Sequence, residues 1–208
     1  MLLDVLVISL IIAFLRGGKL IKLAKMELHK IELIIIPFVL QYILVVGGER
    51  GISWFGQWGI YLHLFSYIIL LAGIWYNRHI KEMEIFGVGI LLNFLVIAVN
   101  KGQMPVLVEA LKKVGMEDML PLLQSKNYVV HTVAGPQTRL NFLADIIPLP
   151  PPYPRPRVLS IGDIVMGAGI FLLIQNYMVG ADLFKIKKRR KCNGDEGTTG
   201  KNEENRCI

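Results

Sequence analysis

The sequence has few cysteines and little charge, and both shortages limit what the protein can be. Only 2 of its 208 residues are cysteine, Cys192 and Cys207, and both lie in a polar C-terminal segment without metal-ligand spacing. The 4 histidines also lack a ligand spacing such as i, i+4, so we predict no metal site and no cofactor. Charged residues make up 19% and hydrophobic residues 53% of the chain, which excludes an ordinary soluble domain.

Further absences narrow the function. Basic residues follow the first apolar run instead of preceding it, and no small-residue cleavage site follows, so we expect no cleaved signal peptide. No internal repeat is visible, which argues against inverted-repeat transporters. The net charge of +7 does not indicate nucleic-acid binding, because the basic residues flank apolar runs as they do in membrane proteins.

The chain does contain a series of long apolar runs. These runs approach the ~20 residues that cross a ~30 Å hydrocarbon core, so we predict an all-α polytopic transmembrane bundle of about five spans. The predicted spans are 2–15, 31–46, 60–76, 85–99 and 158–179. They form an integral membrane domain over residues 1–184, and a basic tail at 185–208 is expected to be disordered.

The positions of Lys and Arg predict the orientation of these spans. Basic residues cluster at 16–30, 78–81 and 185–206, and fewer lie at the opposite ends of the spans. Basic residues favour the cytoplasmic side, which places the N-terminus outside and the C-terminus in the cytoplasm. Residues 101–157 then form one long extracytoplasmic loop.

The long loop contains two features that predict local structure. An apolar stripe at helical spacing faces a charged side, which predicts an amphipathic helix on the outer leaflet. Its apolar residues are Val106, Leu107, Ala110, Leu111 and Val114, opposite Glu109, Lys112 and Lys113. Six of the 10 prolines fall between Pro148 and Pro156, which predicts a stiff polyproline strap.

The predicted topology brings several polar residues to the same depth at the outer leaflet. Asp145 and Asp163 flank the proline-rich strip, and Asp4 lies at the outer end of the first span. Two carboxyl groups in a water-excluding site can act as acid and base, so Asp145 and Asp163 are the candidate catalytic residues. The candidate ligand-binding residues are Asn93, Asn100, His131, Arg139 and Asn141.

Each candidate also has a purely structural interpretation. Ser160 and Asp163 fit a capping box that opens the last helix, and Asp4 fits a carboxylate near a helix start. Asp145 fits a turn residue before Pro148. Asn100 fits a helix end with glycine just beyond it. Both interpretations stay open at this point.

Three motifs carry a resemblance to a known family. They are NKGQMPV at 100–106, LADI at 143–146 and SIGDIVMGAG at 160–169, set on five short spans. With them the chain resembles a family of small bacterial multi-pass membrane proteins of unknown function, found chiefly in Gram-positive bacteria. The likeness runs from the first helix to about Gly180. It implies a multi-pass protein of the bacterial cell membrane and no particular activity.

A second pattern resembles lipoprotein signal peptidase, a membrane aspartyl protease. The chain has N-x-G at 100–102, RLNFLAD at 139–145 and a second aspartate opening the final helix. The resemblance implies that Asp145 and Asp163 form a catalytic pair at the outer leaflet. The chain differs from that family in three ways. Ile146 stands where the family has arginine, and Ile161-Gly162 precedes the second aspartate in place of the family's asparagine-containing motif. The chain also has one more span.

Two functions of different classes follow from these observations. One is a non-enzymatic binder of a lipid, a small amphiphile or a partner protein, at an outer-leaflet pocket walled by the fourth and fifth spans and covered by the loop. The other is a membrane-embedded aspartyl hydrolase using Asp145 and Asp163. A further hypothesis is an accessory subunit whose basic tail meets a soluble partner. Membrane lipids are the expected partners, together with a hypothetical membrane-protein partner.

Overall fold

A computed structural model describes residues 1–180 and is mostly helical. The helices are α1 (Leu2–Leu15), α2 (Leu20–Leu23), α3 (Glu32–Glu49), α4 (Ser53–Tyr76), α5 (Lys81–Val99), α6 (Val108–Lys113), α7 (Leu120–Leu123) and α8 (Ile161–Val179). The strands are β1 (Met104–Val106), β2 (His131–Val133), β3 (Ile147–Leu149) and β4 (Arg157–Leu159). The predicted basic tail at 185–208, with both cysteines, lies outside the described residues.

Four helices, α3, α4, α5 and α8, are long and apolar enough to cross a membrane. Helix α1 is also apolar but has only 14 residues. Large apolar side chains on these helices are exposed, among them Val7, Ile36 and Phe65. Such an apolar surface suits lipid and not water. The prediction of a mostly helical protein with several membrane-crossing helices is confirmed for these four.

The long helices pack side by side in the order α1, α8, α5, α4, α3, and this row curves so that α1 and α3 line one cavity. Helix α8 packs between α1 and α5, helix α5 also packs on α4, and α4 packs on α3. The closest approach is between α5 and α8, where a Cβ atom added to Gly89 would lie 2.5 Å from the carbonyl oxygen of Gly162. A groove remains between α1 and α3, the first and last helices of the row.

Contacts at the two ends of the helices show which segments lie together. At one end, Asp4 contacts Arg155 and Arg157. At the other end, the Lys19 N–H donates to the Met178 carbonyl at 3.1 Å. Helices α1 and α8 therefore run parallel, and the N-terminus lies at the same end as the segment that joins α5 to α8.

The segment between α5 and α8 forms two small sheets, which the all-α prediction did not include. Strands β1 and β2 pair in parallel, with Met104 opposite His131, and an isolated bridge joins Val106 to Asp145 on the other side of β1. Strands β3 and β4 pair antiparallel, with Pro148 opposite Val158. A two-stranded ribbon has only edge strands, so it can include a proline.

The predicted polyproline strap is therefore wrong. The proline-rich strip turns between β3 and β4 and folds back on itself as a hairpin. The amphipathic helix is also shorter than predicted, because Val106 belongs to β1 and only Val108–Lys113 is helical. Helix α4 begins at Ser53, before the predicted start at 60, and α8 begins at Ile161 instead of 158.

Candidate functional site

A polar cavity of about 250 Å³ lies where α3, α4, α5 and α8 meet the sheet of β1 and β2. It is lined by Gln41, Tyr42, Val45, His63, Tyr67, Asn93, Ile97, Met104, Val130, His131, Asp145 and Asp163. Four of the sequence-predicted site residues, Asn93, His131, Asp145 and Asp163, are thus brought to one cavity. We call this space the polar cavity.

Asp163 is held in the first turn of α8 by a capping box. Its backbone N–H donates to Ser160 Oγ at 2.9 Å, and its Oδ2 accepts from the Ser160 N–H at 3.3 Å. Its other oxygen, Oδ1, accepts from Asn93 Nδ2 at 3.1 Å. The Ser160 hydroxyl donates to Asn93 Oδ1 at 2.8 Å, so these donors and acceptors are mutually satisfied. The structure therefore contains the capping box that the sequence indicated, and the same carboxylate also lines the polar cavity.

Asp145 is fixed through its backbone beside β1. Its N–H donates to the Pro105 carbonyl at 3.0 Å, and its carbonyl accepts from the Leu107 N–H at 2.9 Å. The residue is only 7% exposed. Within residues 1–180 its carboxyl group makes no hydrogen bond, and His131 Nε2 lies 3.7 Å from Oδ2. Burial, with a smaller effect from the charge of Asp163, raises the pKa of Asp145 well above its usual range.

His131 is positioned by Tyr128. The two rings stack with centroids 5.9 Å apart, and Tyr128 Oη lies 3.1 Å from His131 Nδ1. Burial, together with the nearby His63, lowers the pKa of His131 to about 4. At neutral pH the ring is therefore uncharged, and its contact with Asp145 is not an ion pair. Burial likewise raises the pKa of Tyr128 to about 12.

His63 and Gln41 also face the polar cavity, and their hydrogen bonds fix their orientations. His63 Nδ1 lies 2.7 Å from the Gly102 carbonyl, which can only accept, so Nδ1 carries the proton. The Ser66 hydroxyl donates to the His63 carbonyl at 2.6 Å and accepts from Gln41 Nε2 at 3.0 Å. An imidazole whose single proton is on Nδ1 has Nε2 as an acceptor, and within residues 1–180 neither His63 Nε2 nor Gln41 Oε1 has a hydrogen-bond partner.

Three of the predicted ligand-binding residues lie elsewhere. Asn100 Nδ2 donates to the carbonyls of Val96 and Arg139, each at 2.8 Å, and Asn100 Oδ1 accepts from the Arg139 N–H at 2.7 Å. Asn141 Oδ1 accepts from the Thr138 hydroxyl at 2.7 Å. Asn100 and Arg139 therefore tie the loop to the end of α5, Asn141 is bonded within the loop, and none of the three is part of the cavity lining.

Two further cavities continue from the polar cavity along the groove between α1 and α3. The middle cavity, of about 370 Å³, shares Gln41, Tyr67 and Asp163 with the polar cavity. The apolar cavity, of about 480 Å³, shares Leu2, Leu3 and Phe38 with the middle cavity. The rest of its lining is Leu6, Met26, Leu28, Ile34, Glu82, Met83, Phe86, Gly169, Ile170 and Leu173. The three cavities form one groove that is polar at the loop end and apolar toward the other.

A cluster of charges borders the middle cavity. Asp4 Oδ2 lies 3.0 Å from Arg157 Nη2 and 3.6 Å from the amino group of Met1. Asp4 Oδ1 lies 3.5 Å from Arg155 Nη1, and Arg155 lines the middle cavity. Asp4 is thus shared among three cationic groups, and Asp163 is the second carboxylate at the middle cavity.

Sequence reasoning missed several of the groove residues. His63 and Gln41 are single polar residues inside apolar runs, and Arg155 lies among the prolines. The signal that could have found the first two is the cost of burying an unpaired polar group, which makes such residues candidates for the interior of a bundle. Among residues 1–180, no group of three or more His, Cys, Asp or Glu side chains is arranged to hold a metal ion.

Comparison with known proteins gives a family and no activity. Residues 25–175 match DUF5317, a family of unknown function, and they include every residue that lines the polar cavity. An uncharacterized protein of Thermotoga maritima is 30% identical over 172 residues, which are 83% of this chain and 89% of that protein. No solved structure matches the chain. The predicted resemblance is confirmed, and the chain belongs to the DUF5317 family.

Proposed function

We propose that this protein binds a membrane lipid in the groove between α1 and α3. The lipid chain occupies the apolar cavity, and the headgroup occupies the polar end. The observation that carries the proposal is that three neighbouring cavities share lining residues and change from polar at the loop end to apolar at the other end. An amphiphile matches such a surface along its whole length, whereas a soluble ligand matches only the polar end.

The length of the groove fits one leaflet. On α3 it extends from Val45 in the polar cavity to Ile34 in the apolar cavity, which is about 16 Å of helix. On α8 it extends from Asp163 to Leu173, about 15 Å. Half of a ~30 Å hydrocarbon core is about the same distance. We infer that the lipid belongs to the leaflet on the loop side.

The proposal includes an orientation in the bacterial cell membrane. Helix α1 runs beside α8 from the loop end to the opposite end, so it is assigned as a fifth span despite its length. The N-terminus and residues 101–157 then lie outside, and the C-terminus lies in the cytoplasm. This orientation keeps the basic clusters on the cytoplasmic side, as the distribution of Lys and Arg favours.

Blocking the apolar cavity tests lipid binding directly. Ile34 lines the cavity, whereas its neighbour Ile35 is 52% exposed on the outer surface of α3. We expect Ile34→Trp to lose most of the lipid that co-purifies in mild detergent, because the indole fills the groove. Ile35→Trp should retain it. Native mass spectrometry of both variants and the unaltered protein measures the difference, and equal lipid retention in the two variants contradicts the proposal.

A second candidate function is hydrolysis by the two aspartates. It is favoured by one observation: Asp145 and Asp163 line the same cavity, and the charge of Asp163 helps to raise the pKa of Asp145. One protonated and one ionised carboxyl group could act as acid and base on a water. Both oxygens of Asp163 already accept hydrogen bonds in the cap and from Asn93, which favours the binding function instead.

The hydrolase is tested with a peptide anchored to lipid by an acyl chain. If the protein is a hydrolase, the unaltered chain cleaves the peptide in proteoliposomes, and Asp145→Asn abolishes cleavage while leaving the melting temperature within a few degrees. Cleavage that persists in Asp145→Asn, or that never occurs, excludes this mechanism. Whether the protein retains lipid is a separate question, which neither result of the hydrolase test answers.

A further inference from the structure

The polar end of the groove presents mainly hydrogen-bond acceptors. His63 is 2% exposed and offers Nε2, Gln41 offers Oε1, and Asp145 offers a carboxyl group without a hydrogen bond. The carboxylate of Asp163 faces the same space. The remaining polar side chains of the lining are Tyr42, Tyr67, Asn93 and His131, and Asn93 is already bonded to Asp163 and Ser160. A ligand that satisfies the acceptors of His63, Gln41 and the two aspartates must supply several N–H or O–H donors.

The charge of the polar cavity points the same way. Its lining contains two carboxyl groups and, among residues 1–180, no lysine or arginine. A buried carboxylate without a cation is unfavourable, and Asp145 has only the uncharged His131 near it. A cationic donor would supply both the missing charge and the missing hydrogen bonds.

Positive charge is found one step along the groove. Arg155 lines the middle cavity, and its partner Asp4 is shared with Arg157 and the amino group of Met1. The Arg155 side chain is 66% exposed and shares Asp4 with Arg157, so its guanidinium can also pair with an anionic group of a ligand. Along the groove the order of preferences is therefore cation in the polar cavity, anion in the middle cavity and hydrocarbon in the apolar cavity.

We propose that the ligand is a lipid whose headgroup carries a primary ammonium group outside a phosphate. The ammonium group donates to His63 Nε2, Gln41 Oε1 and the Asp145 carboxylate. The phosphate lies beside Arg155, and the acyl chain follows Leu3 and Phe38 into the apolar cavity. This assignment depends on the proposed lipid-binding function and adds the chemistry of the headgroup to it.

The test compares three lipids that differ only at the headgroup. The full-length protein in nanodiscs of phosphatidylglycerol is titrated with phosphatidylethanolamine or phosphatidylcholine of matched chains, and bound lipid is counted by native mass spectrometry. Phosphatidylcholine keeps the positive charge and loses every N–H donor. We expect ethanolamine lipid to be retained roughly tenfold more than either of the others, the discrimination typical of charge-assisted hydrogen bonds.

Variants locate the preference in the polar cavity. Asp145→Asn should reduce the ethanolamine preference at least about fivefold, because an amide supplies donors where acceptors are needed. Asp118→Asn, which neutralises an exposed carboxylate in the loop, should not change it. If Asp145→Asn fails to fold, the lipid series on the unaltered protein still decides the question.

The outcomes separate the two proposals. Lipid retained without preference, or with preference for phosphatidylglycerol, overturns the ammonium assignment and leaves lipid binding in place. No lipid retained from any mixture overturns both. Soluble phosphoethanolamine that binds as tightly as the lipid shows that the site takes a free amine, and this also overturns the lipid assignment.

Discussion

Burial acts in opposite directions on the two titratable loop residues of the polar cavity. The pKa of His131 falls to about 4 and that of Asp145 rises, because each loses hydration of its charged form. Both residues therefore hold the neutral form in the folded protein over part of the acidic range. His131 therefore does not neutralise the Asp145 carboxyl group at neutral pH, in agreement with the proposal of a cationic ligand group.

The His131 shift predicts a loss of stability in acid. In the unfolded chain this histidine binds a proton below about 6.5, whereas the folded protein binds it only below about 4. The free energy of unfolding should therefore fall as the pH falls from about 6.5 to about 4. His131→Gln should remove on the order of 1–2 kcal/mol of this loss, an amount reduced because the side chain is 31% exposed. Melting temperatures at pH 7.5 and 5 measure it.

Two matched variants sharpen this prediction. His79 serves as a control, because it is exposed at the end of the helices opposite the polar cavity. His79→Gln should keep the acid sensitivity. Asp145 acts in the other direction, because its raised pKa lets the folded state hold a proton that the unfolded chain has released. Asp145→Asn should therefore steepen the acid loss. Identical pH profiles for His131→Gln and the unaltered protein would refute the interpretation.

At the scale of the elements, the pairing of α5 with α8 positions the polar cavity. Gly89 and Gly162 allow the backbones to approach, and Asn93 then reaches Ser160 and Asp163 across the interface. Glycine is required there because a Cβ on Gly89 would meet backbone atoms of α8, which cannot rotate away. The capping box of α8 is thus part of the same contact that forms the cavity.

A methyl group between α5 and α8 is predicted to lower the stability of the protein. Gly89→Ala should destabilise the protein by about 1–3 kcal/mol through overpacking, with a lower melting temperature in detergent. Gly167→Ala is the matched control, since its Cβ would lie 3.4 Å from Val5 Cγ2, an ordinary contact. It should be neutral or slightly stabilising, because alanine favours helix more than glycine does. Equal effects of the two substitutions would mean that the α5–α8 approach is not tight.

Sequence patterns predicted the elements that depend on local signals and missed those that depend on distant pairing. Apolar runs located the long helices, and the Ser160–Asp163 spacing indicated the cap that the structure contains. The hairpin of the proline-rich strip depends on pairing with residues beyond the turn, so composition alone suggested a strap. Asn100 was proposed as a ligand-binding residue because the predicted topology places it at the same depth as the other polar residues, but the backbone of Arg139 satisfies its side chain.

At the scale of the whole molecule, the open row of helices explains why a groove exists. A closed bundle would pack α1 against α3 and fill the space with side chains. Instead, α1 packs mainly on α8, and α3 packs mainly on α4. The lining of Leu2, Phe38 and Leu173 is left between them. We propose that a membrane lipid fills this opening.

The orientation of the helices in the membrane determines which leaflet the groove faces, and cysteine labelling tests it. The tail cysteines Cys192 and Cys207 are expected in the cytoplasm, so a membrane-impermeant maleimide should label the unaltered protein only after cells are opened. Gln137 is exposed in the segment that joins α5 to α8. Gln137→Cys, made with both tail cysteines replaced by serine, should react in intact cells.

The labelling result bears on α1 as well as on the leaflet. Four crossings leave both ends of the chain on one side, whereas a fifth crossing by α1 places them on opposite sides. A cysteine at exposed Leu3 should therefore behave like Gln137→Cys if α1 crosses, because Asp4 lies with Arg155 and Arg157 at the loop end. Labelling of the tail cysteines in intact cells would reverse the orientation, and the groove would then open to the cytoplasmic leaflet.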